Sequence, residues 1–233
     1  MGNNPIINVV IPAFNEEKSI AKVVGDIDRE LVSEIIVVNN NSTDDTVNVA
    51  EKAGAIVLTE KEKGYGYACL MGIDRTKQNN ADIVVFLDGD YSDYPQQIKE
   101  VVAPILNDEM DMVIGSRAMG KRQKGSMTPQ QVFGNWLATR LMRIFYGAKF
   151  TDLGPFRAIK SEALERLKMA DKTYGWTIEM QIKAAKHKMK FCEVPVKYRK
   201  RIGVSKVSGT VKGTIMAGIK IIFAVFKYKL SDK

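Results

Sequence analysis

The stretch Ile83-Val84-Val85-Phe86-Leu87-Asp88-Gly89-Asp90 decides the reading: five unbroken apolar residues run straight into two carboxylates around a glycine. A run that does not alternate apolar with polar marks a strand covered on both faces, as in a parallel sheet. Working outward, similar runs recur at 7–11, 34–38, 55–58 and 112–114. Between them, segments near 16–30, 44–53, 66–78 and 95–107 carry helical periodicity. Strand and helix in alternation predict an α/β domain with a mainly parallel central sheet flanked by helices.

Past residue 115 the pattern changes. The stretch 118–128, rich in Gly, Lys and Gln, has no apolar period and reads as a mobile loop, with 121–124 placed to close over phosphates. A helix over 129–146 follows, then a short strand at 156–159, helices near 161–168 and 175–188, and a last strand over 190–198. Two units are expected, a catalytic-sized domain over 1–206 and a basic amphipathic tail over 207–233. The 233 residues are 45% hydrophobic and 27% charged, which excludes disordered and collagen-like classes. Cys69 and Cys192 fit neither a CxxC motif nor a zinc spacing and read as small core residues in a reducing compartment. No charged segment followed by an apolar stretch opens the chain, so a cytoplasmic location is expected.

The net charge of +8 lies at one end, for ten Lys and Arg but only one acid fall between Lys197 and Lys233. A nearly neutral body with a basic tail suggests an anionic partner. The apolar part of the tail, 211–230, is interrupted by Lys220 and is too broken to span a bilayer. Val211, Ile215, Ile219, Ile222, Phe223 and Phe226 share one helical face opposite Lys220 and Lys227, a pattern of an interfacial helix or of a terminal helix packed on its own domain.

Asp88 and Asp90 fall at the carboxyl end of a strand, where open α/β sheets bind ligands. Their oxygens suit Mg²⁺ or Mn²⁺, although Asp and Gly in a simple turn give the same letters. Two more polar loops leave the same sheet edge, Pro12-Ala13-Phe14-Asn15-Glu16 after the first strand and Asn39-Asn40-Asn41-Ser42-Thr43 after the second. Lys63-Gly64-Tyr65-Gly66 adds a cation and glycines suited to close backbone approach. Cys69 stands where GxGxxG requires its third glycine, and no GxxxxGK[ST] occurs, so dehydrogenase and P-loop readings fail. Neither a nucleic-acid motif nor interleaved aromatics accompany the basic tail, which argues against a nucleic-acid partner. His187, the only histidine, lies in a basic helical stretch and reads as a surface residue, whereas Trp136 and Trp176 suit stacking or core packing equally.

Taken with Gly115-Ser116-Arg117, Asp152-Leu153-Gly154-Pro155-Phe156-Arg157, Glu193-Val194-Pro195 and the segment 199–206, these stretches resemble family 2 glycosyltransferases of the GT-A fold, in particular the dolichyl-phosphate mannose or glucose synthase-like branch. The resemblance implies donor binding by Pro12, Ala13, Phe14, Glu16, Asn39, Asn41, Lys63, Gly64, Asp88, Gly89 and Asp90. It implies a Mg²⁺ or Mn²⁺ ion on Asp88 and Asp90, and an acceptor phosphate on Arg117, Arg157, Arg199, Arg201 and Lys206. Asp88, Asp90, Arg117 and Glu179 become the candidate catalytic set.

Two departures bear on specificity. Asn39 and Asn40 replace an Asp pair usual in the family, leaving the donor base open between UDP and GDP. Glu179-Met180 replaces a Glu-Asp pair whose Asp serves hydroxyl acceptors as base. An ionised phosphate needs no base but needs cations. The expected activity is therefore inverting transfer of a hexose from a nucleotide-diphosphate sugar to a polyprenyl or dolichyl phosphate, by an enzyme peripheral at the inner membrane face through 207–230, with a membrane-protein partner possible. Transfer to a saccharide or other hydroxyl with Glu179 as base, and a non-catalytic sugar-nucleotide binder, are the alternatives.

Overall fold

The computed structural model describes residues 5–203 and 222–229. The chain runs β1 (Ile7–Ala13), α1 (Ile20–Gly25), β2 (Glu34–Asn39), α2 (Thr46–Lys52), β3 (Ile56–Thr59), α3 (Tyr65–Gln78), β4 (Ile83–Phe86) and α4 (Ile98–Leu106), the last entered through a 3₁₀ turn at Pro95–Gln97. β5 (Met112–Ser116), α5 (Pro129–Tyr146), β6 (Arg157–Lys160), α6 (Ser161–Leu167), α7 (Trp176–Lys186) and β7 (Phe191–Pro195) complete it.

All seven strands form one sheet in the order β3-β2-β1-β4-β6-β5-β7. The unbroken apolar runs have the expected cause. Val10, Ile36, Val84, Phe86 and Met112 point into one core, beneath α3, α5 and α7 with Trp176. Their strand neighbours Val9, Ile35, Val37, Val85 and Val113 point into the other, beneath α1 and α4. With side chains alternating across a sheet packed on both faces, every position must be apolar.

β6 departs from a parallel sheet, pairing antiparallel with both β4 and β5. The loop before β6 is fixed where β5 ends, for the Ser116 and Thr151 hydroxyls are 2.7 Å apart and Arg117 N donates to Asp152 Oδ2 at 2.7 Å. The chain thus re-enters the sheet at the edge it left by, so β6 can only run backwards. α5 matches its expected bounds because both ends are coded locally. Thr128 and Gln131 form a capping box, Pro129 sits at the first turn, and Gly147 ends the helix at φ 67°.

The expected mobile loop at 118–128 is instead bonded to the segment after β7. Gln123 N donates to Tyr198 O at 2.8 Å, Tyr198 N to Lys121 O at 3.0 Å, and Lys200 N to Gln123 Oε1 at 2.8 Å. A Cβ on Gly120 would lie 1.8 Å from Val196 O, so only glycine allows this approach. Backbone pairing of this kind has no hydropathy signature, which is why the sequence reads as loose.

Of the tail, residues 222–229 are helical and lie on the domain. Ala224 and Val225 are buried, the rings of Phe226 and Phe145 meet edge to face at 5.2 Å, and Tyr146 Oη donates to Val225 O. Ile222, Phe223 and Phe226 remain exposed. Lys206, Val211, Ile215 and Ile219 fall outside the described residues, as does Lys220. No helix among the described residues is long and apolar enough to cross a membrane.

Candidate active site

β1 has β2 on one side and β4 on the other, so chain connections diverge between β1 and β4 and leave a crevice at their carboxyl ends. Asp88-Gly89-Asp90 leaves β4 into that crevice. Tyr65 Oη, from the first turn of α3, donates to Asp88 Oδ1 at 3.2 Å. Trp176 at the start of α7 packs edge to face on Phe86 at 4.8 Å and so supports the strand end from below. Burial and the neighbouring Asp90 carboxylate push Asp88 up to about 6, against the opposing pull of Arg201 and the Tyr65 hydrogen bond. Asp90, 4% exposed, accepts from Ser92 N through Oδ1 at 2.9 Å and pairs through Oδ2 with Arg201 Nη1 at 2.8 Å. The next residue, Tyr91, takes a left-handed backbone at φ 65°, unusual for a bulky side chain and a mark of strain held at the site.

The polar loops of β1 and β2 interlock. Asn15 N donates to Ser42 Oγ at 2.9 Å, Thr43 N to Asn15 Oδ1 at 2.8 Å, and Glu16 N to Thr46 Oγ1 at 2.8 Å. Asn39 Oδ1 accepts from Ser42 N at 2.9 Å. Asn40 ties the β2 end to the donor-loop candidate, donating to Glu62 O at 2.6 Å and accepting from Gly64 N at 2.8 Å. An amide does both jobs at once, which a carboxylate cannot. Pro12 and Ala13 are buried in the β1 end, Phe14 and Glu16 half-buried at its mouth, and Asn41 and Lys63 exposed. The glycines do serve close approach, and the visible partner is backbone: a Cβ on Gly66 would lie 2.0 Å from Asp171 O, and one on Gly64 2.2 Å from Lys172 O.

The expected phosphate cations separate into three places. Arg201 sits on Asp90, and Arg199 beside it, its guanidinium 3.3 Å from the Tyr91 ring centroid and 4.2 Å from that of Tyr94. Arg199 also donates to Tyr91 O at 2.6 Å and Asp93 O at 3.1 Å, so it anchors the loop that carries Asp90. Arg117 reaches Asp152 with two parallel bonds of 2.8 and 2.7 Å and lies 5.0 Å from the Tyr198 ring centroid. Burial opposes its charge, but the Asp152 carboxylate more than offsets that and keeps it protonated.

Two expectations need correction. Arg157 is fully enclosed and donates to the carbonyls of Thr177, Leu153 and Gly154, so it braces the 153–157 turn instead of facing a ligand. Burial brings its guanidinium down to about 10. Glu179 is likewise fully buried and receives Ala170 N at 3.0 Å, Asp171 N at 2.7 Å, Tyr228 Oη at 2.6 Å and Lys183 Nζ at 2.7 Å. With its lone pairs so occupied it is not placed to take a proton from an acceptor.

The sequence model described as glycosyl transferase family 2 matches residues 8–168. The chain belongs to that family. The glycosyltransferase is 28% identical to a UDP-N-acetylglucosamine–dolichyl-phosphate N-acetylglucosaminyltransferase of Methanococcus voltae, over 97% of this chain and 96% of the relative. It is 27% identical to an undecaprenyl-phosphate mannosyltransferase of Micrococcus luteus, with 90% of each covered. Its fold matches glucosyl-3-phosphoglycerate synthase of Mycobacterium tuberculosis, solved with Mn²⁺, UDP-glucose and phosphoglyceric acid, at a TM-score of 0.79 and 24% identity, over 98% of this chain and 81% of that one. The glycosyltransferase thus has the GT-A architecture that the family resemblance implies.

One site residue of this glycosyltransferase carries no sequence signal beyond its nearness to Asp90. Asp93 is 1% exposed, and neither carboxylate oxygen has a hydrogen-bond partner among the described residues. Burial first, then Asp88 and Asp90, raise it to about 8, against the pull of Arg117. A carboxyl whose folded value lies above its unfolded one stabilises at low pH and loses that contribution as pH rises through the interval. Asp93→Asn is therefore expected to match the parent in stability below about pH 4 and to exceed it increasingly toward pH 8, by a few kcal/mol, when thermal unfolding is followed in chelator. Parallel pH profiles for the two proteins would refute the assignment.

Proposed function

We propose that this glycosyltransferase moves a hexose from a nucleoside diphosphate sugar to a polyprenyl phosphate. The observation that carries the reading is the ion pair of Arg201 with Asp90, with Arg199 stacked on Tyr91 beside it, while Glu179, the base expected from the sequence, is occupied elsewhere. Such a site meets an acceptor that arrives ionised and needs cations. Both curated relatives described above act, by their names, on lipid phosphates.

Asp88 and Asp90 offer only oxygen ligands, the chemistry Mg²⁺ and Mn²⁺ prefer. No group of three or more His, Cys, Asp or Glu side chains among the described residues could hold a metal, so the remaining ligands fall to the donor diphosphate. When bound there, the ion supplies neutralisation of the diphosphate leaving group. Pro12–Glu16 and Asn39 with Asn41 hold the nucleoside, and Lys63 and Gly64 border the donor. Arg201, Arg199 and Arg117 gather the acceptor phosphate. A phosphate oxygen attacks the anomeric carbon as the bond to the nucleoside diphosphate breaks, which inverts that carbon and requires no proton transfer.

The membrane-facing side is carried by α5. Phe133, Trp136 and Ile144 are 61%, 57% and 64% exposed, Arg140 and Arg143 share their stripe, and Phe223 and Phe226 extend it on the 222–229 helix. Aromatic and basic residues on one exposed face suit an anionic bilayer surface. Of the two tryptophans, Trp136 is exposed and Trp176 buried. Anionic vesicles are therefore expected to shift the tryptophan emission to the blue and to lose that effect in Trp136→Phe; an unchanged spectrum would remove this face from the membrane.

The reaction is tested by nucleoside diphosphate release from UDP- and GDP-sugars, with and without a short polyprenyl phosphate. Release that requires the lipid is expected. Release with a saccharide acceptor alone would overturn the acceptor class.

A further inference from the structure

Glu179 remains unexplained by the reaction, and its surroundings give it a different role. We infer that Glu179 is a positioning residue for the donor loop, and that the C-terminal helix acts on donor binding through the Tyr228 hydroxyl. The inference rests on the reading that Lys63 and Gly64 border the donor.

The geometry is a continuous chain of contacts. Tyr228 Oη donates to Glu179 Oε1 at 2.6 Å, and Lys183 Nζ meets the same oxygen at 2.7 Å. Glu179 Oε2 accepts Asp171 N at 2.7 Å and Ala170 N at 3.2 Å, while Oε1 also takes Ala170 N at 3.0 Å. These bonds fix the backbone of 170–172. That backbone in turn forms the wall against Gly64 and Gly66, where any Cβ would collide with Lys172 O or Asp171 O, and Lys172 O accepts from Tyr67 N at 3.2 Å. The wall is braced from within, as Asp171 Oδ1 accepts from Thr173 N at 2.8 Å and Gly175 N at 3.1 Å. Gly64 N closes the chain on Asn40 at the β2 end.

A carboxylate is the residue that suits this place. Two adjacent backbone N–H groups in a turn with no helical partner need an acceptor, and a buried carboxylate bonded by charged and neutral donors satisfies them rigidly. A side chain supplied by the tail as one of those donors makes the donor wall complete only when the tail helix is seated. Burial and the Glu179 carboxylate raise Tyr228 far above the usual phenol range, so it remains a donor at any working pH.

The test compares Tyr228→Phe, which keeps the packed ring and removes one donor, with Glu179→Gln and with Tyr146→Phe, which loosens the same helix at its Val225 bond. Titration with UDP- or GDP-sugar is expected to show donor affinity reduced about three- to tenfold in Tyr228→Phe and further in Glu179→Gln. The KM for polyprenyl phosphate should hold, and hydrogen exchange at 64–67 should quicken. Tyr146→Phe, which acts only by loosening the helix, should lower donor affinity in the same direction and by less than Tyr228→Phe. Equal donor affinity in Tyr228→Phe and the parent would overturn the coupling and leave the donor assignment standing. A parent protein that binds neither sugar nucleotide would instead overturn the donor reading itself. Should Glu179→Gln fail to fold, Tyr228→Phe decides alone, since its ring lies on the surface of α7 and its hydroxyl is all that changes.

Discussion

Replacement of Asp90 by alanine is expected to lower kcat about 10³-fold, the ~4 kcal/mol that is typically lost with electrostatic stabilisation of the transition state, because Asp90 would hold the cation that neutralises the leaving diphosphate. The side chain has two identifiable tasks. Oδ1 accepts from Ser92 N and so holds the turn in which Tyr91 is strained, and Oδ2 faces Arg201. Asp90→Asn separates them, for an amide oxygen can still accept from Ser92 N while the negative charge is gone. If the charge carries the effect, the asparagine variant falls nearly as far as alanine and its melting temperature stays close to the parent. A backbone held by Arg199 between Tyr91 and Tyr94 makes that retention of fold reasonable. Nucleoside diphosphate release measured with Mn²⁺, beside a Mn²⁺ titration of each variant, checks both parts. An asparagine variant within tenfold of the parent would show that the carboxylate is a turn former, the plain reading of Asp-Gly-Asp.

The sheet was legible because burial on two faces writes itself into consecutive letters. Val84-Val85-Phe86 must all be apolar, since Val84 and Phe86 face one core and Val85 the other. Asp88 and Asp90 were legible because a charge directly after such a run has only the sheet edge to occupy. A letter does not tell where a charge is satisfied. Arg157 and Arg199 look alike in sequence, yet one is sealed inside the 153–157 turn and the other braces the Asp90 loop from between two tyrosine rings. Glu179 is distinguished from a base by the amides of 170 and 171 and the hydroxyl of Tyr228, which belong to other parts of the chain. The direction of β6 depends on where residues 151 and 152 are fastened, again a matter of distant backbone. Long-range polar satisfaction is what separates the fold, which one sequence displays, from the site, which it displays in part.

The second large effect is on stability, and it lies in the Arg117–Asp152 pair. Asp152→Ala is expected to cost about 3–5 kcal/mol, because it removes one partner and leaves a buried guanidinium uncompensated. The side chains are 10% and 1% exposed, so water cannot replace the lost bonds. The same carboxylate also accepts Arg117 N, and its turn is held on either side by Glu193, which receives Thr151 N and Asp152 N, and by Gln181, which donates to Asp152 O. At about 2–4 °C per kcal/mol for a domain of this size, the melting temperature should fall by roughly 10 °C. Removing both charges should cost less than removing one, since a buried pair is repaid mainly by its own members. Arg117→Met with Asp152→Leu is therefore expected to melt above Asp152→Ala, and the double variant should still lose the acceptor, because the arginine that reaches Tyr198 is gone. A double variant as unstable as the single one would place the cost in the 151–154 turn and not in the unpaired charge.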